Sequence, residues 1–171
     1  VAVLRGIVAE VTRANPEGLM LIATNPVDAL TVAALRLSGL PPSRVLGSGT
    51  VLDTARLRAE LSMHYGVDAR NVHAYVLGEH GDSEVVAWSA ASLANVPLKE
   101  FCRLAGMSCT AEDRAAIEAR VRNAAYEIIR RKGATNFAIA AAITRIIEAV
   151  VRDEASVLTV STLVQGQYDI H

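Results

Sequence analysis

Leu19-Met20-Leu21-Ile22-Ala23-Thr24-Asn25-Pro26 is the stretch on which the fold turns. Leu19 to Thr24 runs apolar without alternation, the pattern of a parallel strand buried on both faces. Asn25 then reads as a helix cap and Pro26 as the first helical turn. That helix extends to about Ser38 and stops at Gly39, with Pro41-Pro42 beyond. Upstream, Val3, Leu4, Ile7, Val8 and Val11 recur at helical spacing, giving a helix over Val1 to Ala14 that Asn15-Pro16 ends. Helix, strand, helix is one crossover of a parallel α/β sheet.

Beyond residue 40 the pattern changes to α+β. Val45-Leu46 is a short strand before Gly47-Ser48-Gly49, and Thr50 to Tyr65 is a helix closed by Gly66. Asn71 to Leu77 reads as one strand, and Glu84 to Leu93 as another after a glycine-flanked turn. Ala111 to Arg131 is a long helix, acidic at its start and basic at its end, in accord with the helix dipole. After Gly133, Thr135 to Val151 is an Ala-rich helix, with Thr135 as a possible cap. Ser156 to Leu163 reads as a strand, and a further strand is expected from Gln167 on. The domain boundary is set near 40, giving 1–40 and 41–171. Both ends read as cut, because Val1 opens in mid-helix and no polar cap closes the chain.

Composition narrows the function classes. The chain has 171 residues, 51% hydrophobic, with a net charge of −1, and no basic patch points to nucleic acid. Charged residues interrupt every apolar run before the roughly 18 residues a membrane span needs. No signal-peptide pattern is present. Cys102 and Cys109 are too few for a disulfide framework or a zinc site and read as free thiols in a reducing compartment; no metal is expected.

The chemistry-bearing residues lie in two strings. Gly78-Glu79-His80-Gly81-Asp82-Ser83 sets a histidine in a turn where Gly78 and Gly81 let the backbone bend sharply. Histidine titrates near neutrality and so donates or accepts a proton at working pH. Asp53-Thr54-Ala55-Arg56 places a carboxylate and a guanidinium on one helix face. Each feature has a plain alternative: an exposed loop histidine, and a surface ion pair worth little energetically. Read together, they are the parts needed to protonate a carbonyl while gripping a carboxylate, the chemistry of 2-keto-acid and 2-hydroxy-acid redox. Asp53 would fix the histidine tautomer and favour the imidazolium. Arg56 would hold a substrate carboxylate through two parallel hydrogen bonds. Arg58 lies about 200° further round the same helix and so faces something else. With His73 it is either a solvated side chain or part of a second anion site at a subunit contact. Asn25 sits just past the carboxyl end of the buried strand, where open α/β sheets bind ligands. Its plain alternative is the helix cap. Thr135 and Ile139, one turn apart, are placed to line a pocket.

In order and spacing, these strings resemble the L-lactate dehydrogenases of the lactate/malate dehydrogenase superfamily, over nearly the whole chain. They are Thr24-Asn25-Pro26-Val27-Asp28, Gly47 through Arg58, His73-Ala74-Tyr75, Gly78 through Glu84, and Lys132-Gly133-Ala134-Thr135. The resemblance implies the last part of a Rossmann-type parallel sheet domain (1–40), followed by a substrate-binding domain (41–171). It implies an NAD-dependent, cytoplasmic enzyme, a homotetramer, that interconverts pyruvate and L-lactate. By the same resemblance His80 is the proton donor, Asp53 its partner and Arg56 the carboxylate clamp. Asn25 and Thr24 meet the nicotinamide side, Asn25 also meeting the substrate oxygen. Thr135 borders the substrate methyl, and Ile139 walls the nicotinamide. Arg58 and His73 match positions that bind fructose 1,6-bisphosphate between subunits in allosteric bacterial members.

The family's Gly-x-Gly-x-x-Gly turn, its mobile specificity loop and its C-terminal helix do not occur in these 171 residues. The expectation is that this stretch alone neither binds NAD well nor turns over. Two other readings remain open. One is a malate or other 2-hydroxy-acid dehydrogenase, against which Thr54 and the Glu79-His80 pair speak. The other is a non-catalytic interaction domain on the same scaffold, against which the joint presence of Asp53, Arg56 and His80 speaks.

Overall fold

The computed structural model describes residues 2–164 and 166. The chain divides into two compact units, Val1–Gly49 with Val160–His171, and Thr50–Thr159. The change of unit thus falls later than residue 40, because the strand after Pro41-Pro42 pairs with the first strand and stays with it.

In the first unit the order is α1 (Ala2–Ala14), β1 (Met20–Ile22), α2 (Val27–Ser38) and β2 (Val45–Gly47). β1 and β2 are parallel, with Met20 opposite Val45 and Ile22 opposite Gly47, so the expected crossover is present. Its core gathers Val8, Met20, Ile22, Val27, Ala34 and Val45. Of the apolar stripe on α1 only Val8 is buried, while Val3, Ile7 and Val11 stay exposed. Gly47 has no room for a side chain: a Cβ there would lie 2.3 Å from the Thr31 hydroxyl. That closeness lets α2 lie directly on the strand.

Two expectations in this unit are corrected. Asn25 does not cap α2. Pro26 occupies the N-cap position with extended ψ, one residue later than expected, and no side chain caps the helix. The strand expected over Ser156 to Leu163 reduces to a single antiparallel bridge, in which Gly47 and Ser161 exchange backbone hydrogen bonds of 2.9 and 3.0 Å. The strand expected from Gln167 on lies outside the described residues.

The second unit runs α3 (Val51–Tyr65), β3 (Val72–His73), β4 (Val76–Leu77), β5 (Val85–Val86), β6 (Ser92–Leu93), β7 (Val96–Pro97), α4 (Leu98–Ala105), α5 (Ala111–Lys132) and α6 (Phe137–Val151). The single strand expected over Asn71 to Leu77 is two. β3 pairs with β6, whereas β4 pairs with β5 in a separate ribbon. Between β3 and β4, buried Ala74 and half-buried Tyr75 leave the ladder, and the Ala74 carbonyl accepts from Arg58 instead. The strand expected over Glu84 to Leu93 is likewise broken, by a 3₁₀ turn at Trp88–Ala90. α4 has no counterpart in the sequence reading.

α3 is the spine of this unit. Leu57 and Leu61 are fully buried among Val72, Val76 and Leu93 on one side and Ile117 and Val121 of α5 on the other. α5 starts at a reciprocal cap, in which the Thr110 hydroxyl accepts from the Asp113 N–H and Asp113 accepts from the Thr110 N–H. Gly133 ends it in left-handed conformation, φ 83°. α6 is capped by Asn136 rather than Thr135, since the Asn136 side chain accepts the Phe137 N–H. No helix among the described residues is long and apolar enough to cross a membrane.

Candidate active site

The first turns of α3 carry the polar side chains that matter, and the fold buries them on purpose-built contacts. Thr50 and Thr54 tie the helix to β4. The Thr50 hydroxyl donates to the Val76 carbonyl at 2.6 Å, and Thr54 Oγ1 accepts the Val76 N–H at 3.0 Å. Thr54 also bonds Thr159 at 3.0 Å, so this residue works as a strut rather than at the reacting centre. With the helix fixed against β4, Asp53 points toward the turn that follows that strand.

That turn is the histidine string. Gly78 (φ 87°) and Gly81 (φ 143°) lie in the region that side chains disfavour, which bends the chain back between β4 and β5. α5 steadies it from outside. Arg122 donates to the Glu84 carbonyl at 3.2 Å, and Tyr126 to Asp82 at 3.4 Å.

Asp53 is the hub. One carboxylate oxygen meets His80 Nδ1 at 2.6 Å and the other accepts from Arg56 Nη1 at 3.1 Å. The Asp53 side chain is only 3% exposed, Arg56 13% and His80 25%, so a guanidinium and an imidazole lie against a carboxylate shielded from water. Arg56 Nη2 is buried and has no hydrogen-bond partner. A guanidinium nitrogen left unmatched in a buried place costs free energy unless an anion meets it. The geometry therefore sets an imidazole and a guanidinium with an unmatched buried nitrogen on the two oxygens of one carboxylate.

A further acid completes the cluster, and the sequence reading gave it no role. Glu84 is 5% exposed, and its ligand atom, those of Asp53 and of His80 all lie within 4.8 Å of one another. Burial, and then the Asp53 charge, push the Glu84 carboxyl up to about 7, against a downward pull from His80, Arg122 and Arg56. The three residues form a set that could hold a metal ion by residue type. Arg56, however, already sets a positive charge on the same Asp53 carboxylate, which works against a cation there. In the sequence Glu84 is only an acid before Val85-Val86, which gives little sign of its burial.

The remaining expected residues sit elsewhere. Thr135 and Ile139 are half-buried, at the entry to α6 and in its first turn. Because Asn136 caps α6, Thr135 is not spent on that task. Arg58 is half-buried, donates from Nε to the Ala74 carbonyl at 3.2 Å and lies over the Tyr75 ring at 5.2 Å. It borders a cavity of about 340 Å³ together with Arg70 and Arg145. His73, on β3, is not among the residues that line this cavity. Thr24 and Asn25 belong to the first unit, just past β1. Both cysteines are free, Cys102 buried and Cys109 half-buried.

Known proteins resemble this chain in sequence and in fold. The family model for the lactate/malate dehydrogenase α/β C-terminal domain matches residues 50–171. An L-lactate dehydrogenase of Clostridium perfringens (strain 13 / Type A) is 50% identical over 168 residues, 98% of this chain and 53% of the relative. One from Moorella thermoacetica is 53% identical over 169 residues, 99% of this chain and 53% of the relative. A crystal structure of a lactate dehydrogenase from a Medee basin deep-sea metagenome library superposes with a TM-score of 0.94 at 45% identity, over 99% of this chain and 54% of that one. The minor L-lactate dehydrogenase of Enterococcus mundtii gives 0.92 at 44%, over 98% and 53%. The chain spans about half the length of the relatives it matches.

Proposed function

The chain belongs to the lactate/malate dehydrogenase family, and from that premise we propose that it carries the catalytic half of an NAD-dependent enzyme interconverting pyruvate and L-lactate. The observation that carries the reading is Asp53 joined at once to His80 and Arg56, with Arg56 Nη2 buried and unmatched. Arg56 grips the substrate carboxylate through its open edge. Asp53 accepts from Nδ1–H, which fixes the tautomer and leaves Nε2 as the proton donor to the keto oxygen. As negative charge grows on that oxygen, the imidazolium neutralises it, and Asp53 stabilises the imidazolium beforehand.

NAD fits the residues present at its nicotinamide end. Thr24 and Asn25 follow a parallel strand at its carboxyl end, where such sheets take up nucleotides, and Asn25 is released from capping. By resemblance to the family, Thr24, Asn25 and Ile139 are cofactor contacts, and Asn25 is also a substrate contact. When bound, the cofactor supplies the two electrons and one hydrogen that the keto carbon receives. Thr135 borders the substrate methyl. A cytoplasmic homotetramer with α3 at a subunit contact fits the same family reading. Fructose 1,6-bisphosphate is the proposed effector, at Arg58 and His73. Arg58 borders a cavity with Arg70 and Arg145, of which Arg70 is paired with Asp68 and Arg145 with Glu154. An unchanged pyruvate KM on adding the bisphosphate would remove that part.

The test is His80→Ala in the whole enzyme, assayed with pyruvate and with oxaloacetate. The expected result is a loss of pyruvate reduction of about 10²–10⁴-fold with an unchanged melting curve. Wild-type preference for oxaloacetate would move the assignment to the malate branch. Full activity in the variant would end the redox reading.

A further inference from the structure

Glu84 is a buried acid that the proposed reaction does not use. It follows the histidine turn directly, with its N–H bonded to the Gly81 carbonyl at 3.1 Å. Arg122 donates to its backbone carbonyl rather than neutralising its side chain outright. The charged groups facing it are Asp53 and Arg56 from α3, His80 from the turn and Arg122 from α5. Two of these, Asp53 and His80, have ligand atoms within 4.8 Å of its own.

At that separation, in a place shielded from water, one unit of charge on Glu84 acts strongly on the imidazole. With Glu84 protonated, His80 keeps the Asp53 carboxylate beside it. An ionised Glu84 adds a second, which holds the imidazolium more firmly. We propose that Glu84 is a positioning residue whose own protonation governs how readily His80 gives up its proton. The device works where the enzyme works, because burial and Asp53 push the carboxyl up to about 7. As pH rises and His80 would deprotonate, Glu84 ionises and keeps the imidazole charged. The inference rests on the dehydrogenase reading for its catalytic meaning, but the coupling itself does not.

Two measurements test it in the whole enzyme. The first follows the His80 ring proton by NMR against pH, without substrate. The wild type should titrate in two linked steps, and Glu84→Gln in a single step with its midpoint about one pH unit lower. The second follows kcat/KM for pyruvate. Its alkaline limb should move down by about one pH unit in Glu84→Gln and return toward the wild-type position in Glu84→Asp, which restores an ionisable acid. A single-step wild-type titration overturns the inference even where Glu84→Gln fails to fold. So does a folded Glu84→Gln with an unmoved midpoint. A wild type inactive on pyruvate whose imidazole nonetheless shifts with Glu84→Gln would refute the dehydrogenase reading and leave the coupling standing.

Discussion

Asp53–Arg56 in α3 and Glu127–Arg130 in α5 are the same device on paper, an acid and an arginine three residues apart on a helix. Near the end of α5 the Glu127 side chain is 43% exposed and the Arg130 side chain 72%, and Arg131 shares the carboxylate from outside. In α3 the corresponding exposures are 3% and 13%, and the carboxylate's other oxygen is bound to a histidine. The first pair sits in water, where attraction, side-chain entropy and salt screening nearly cancel. The second is desolvated, so its charges act on one another and on whatever enters beside them. Spacing makes a pair possible; burial and a third partner set the Asp53–Arg56 pair apart.

Breaking the pairs should expose that difference most sharply. Asp53→Ala leaves Arg56 buried without its counter-charge, and urea unfolding should show a loss of about 3–5 kcal/mol. The same experiment on Glu127→Ala should show no measurable change. A buried acid that lacks such a partner gives the next effect. Between pH 4.5 and about 7 the unfolded chain has lost the Glu84 proton that the native state keeps. The native state therefore binds more protons, and stability falls as pH rises through that window. Glu84→Gln should remove a slope worth roughly 1–3 kcal/mol, read as a smaller difference in urea midpoint between pH 5 and pH 8 than the wild type shows. Next comes Arg56→Lys, which keeps the charge but loses the flat, two-pronged edge. It should cost about ten- to a hundredfold in kcat/KM for pyruvate, mostly through KM. Smallest is Arg130→Lys, which should leave both melting temperature and kinetics at wild-type values.

How much of this was legible beforehand follows the same division. The crossover of the first unit was readable because Leu19 to Thr24 is uniformly apolar and the helices on either side keep helical period. The helix over Thr50 to Tyr65 was readable from its Gly66 stop, and the long helix of α5 from its acidic start and basic end. The strand expected over Asn71 to Leu77 was not, since its two halves take different partners, β6 and β5, which no local pattern distinguishes. The caps were misplaced by one residue at Asn25 and at Thr135, where neighbouring Pro26 and Asn136 hold the position instead. In the site, Asp53, Arg56 and His80 announced themselves by type and spacing. Glu84 did not, because an acid's burial is set by everything packed round it and leaves little trace in local sequence. Thr54 likewise gave no hint that its hydroxyl would be taken up by β4 and Thr159.

In the proposed reaction Asp53 and His80 act as one unit, which a double-mutant cycle on pyruvate reduction by the whole enzyme would reveal. Asp53→Asn added to His80→Ala should lower kcat little further, by less than about threefold, because the imidazole that Asp53 holds is already gone. Losses that multiply in the double variant as if the two residues were independent would contradict it.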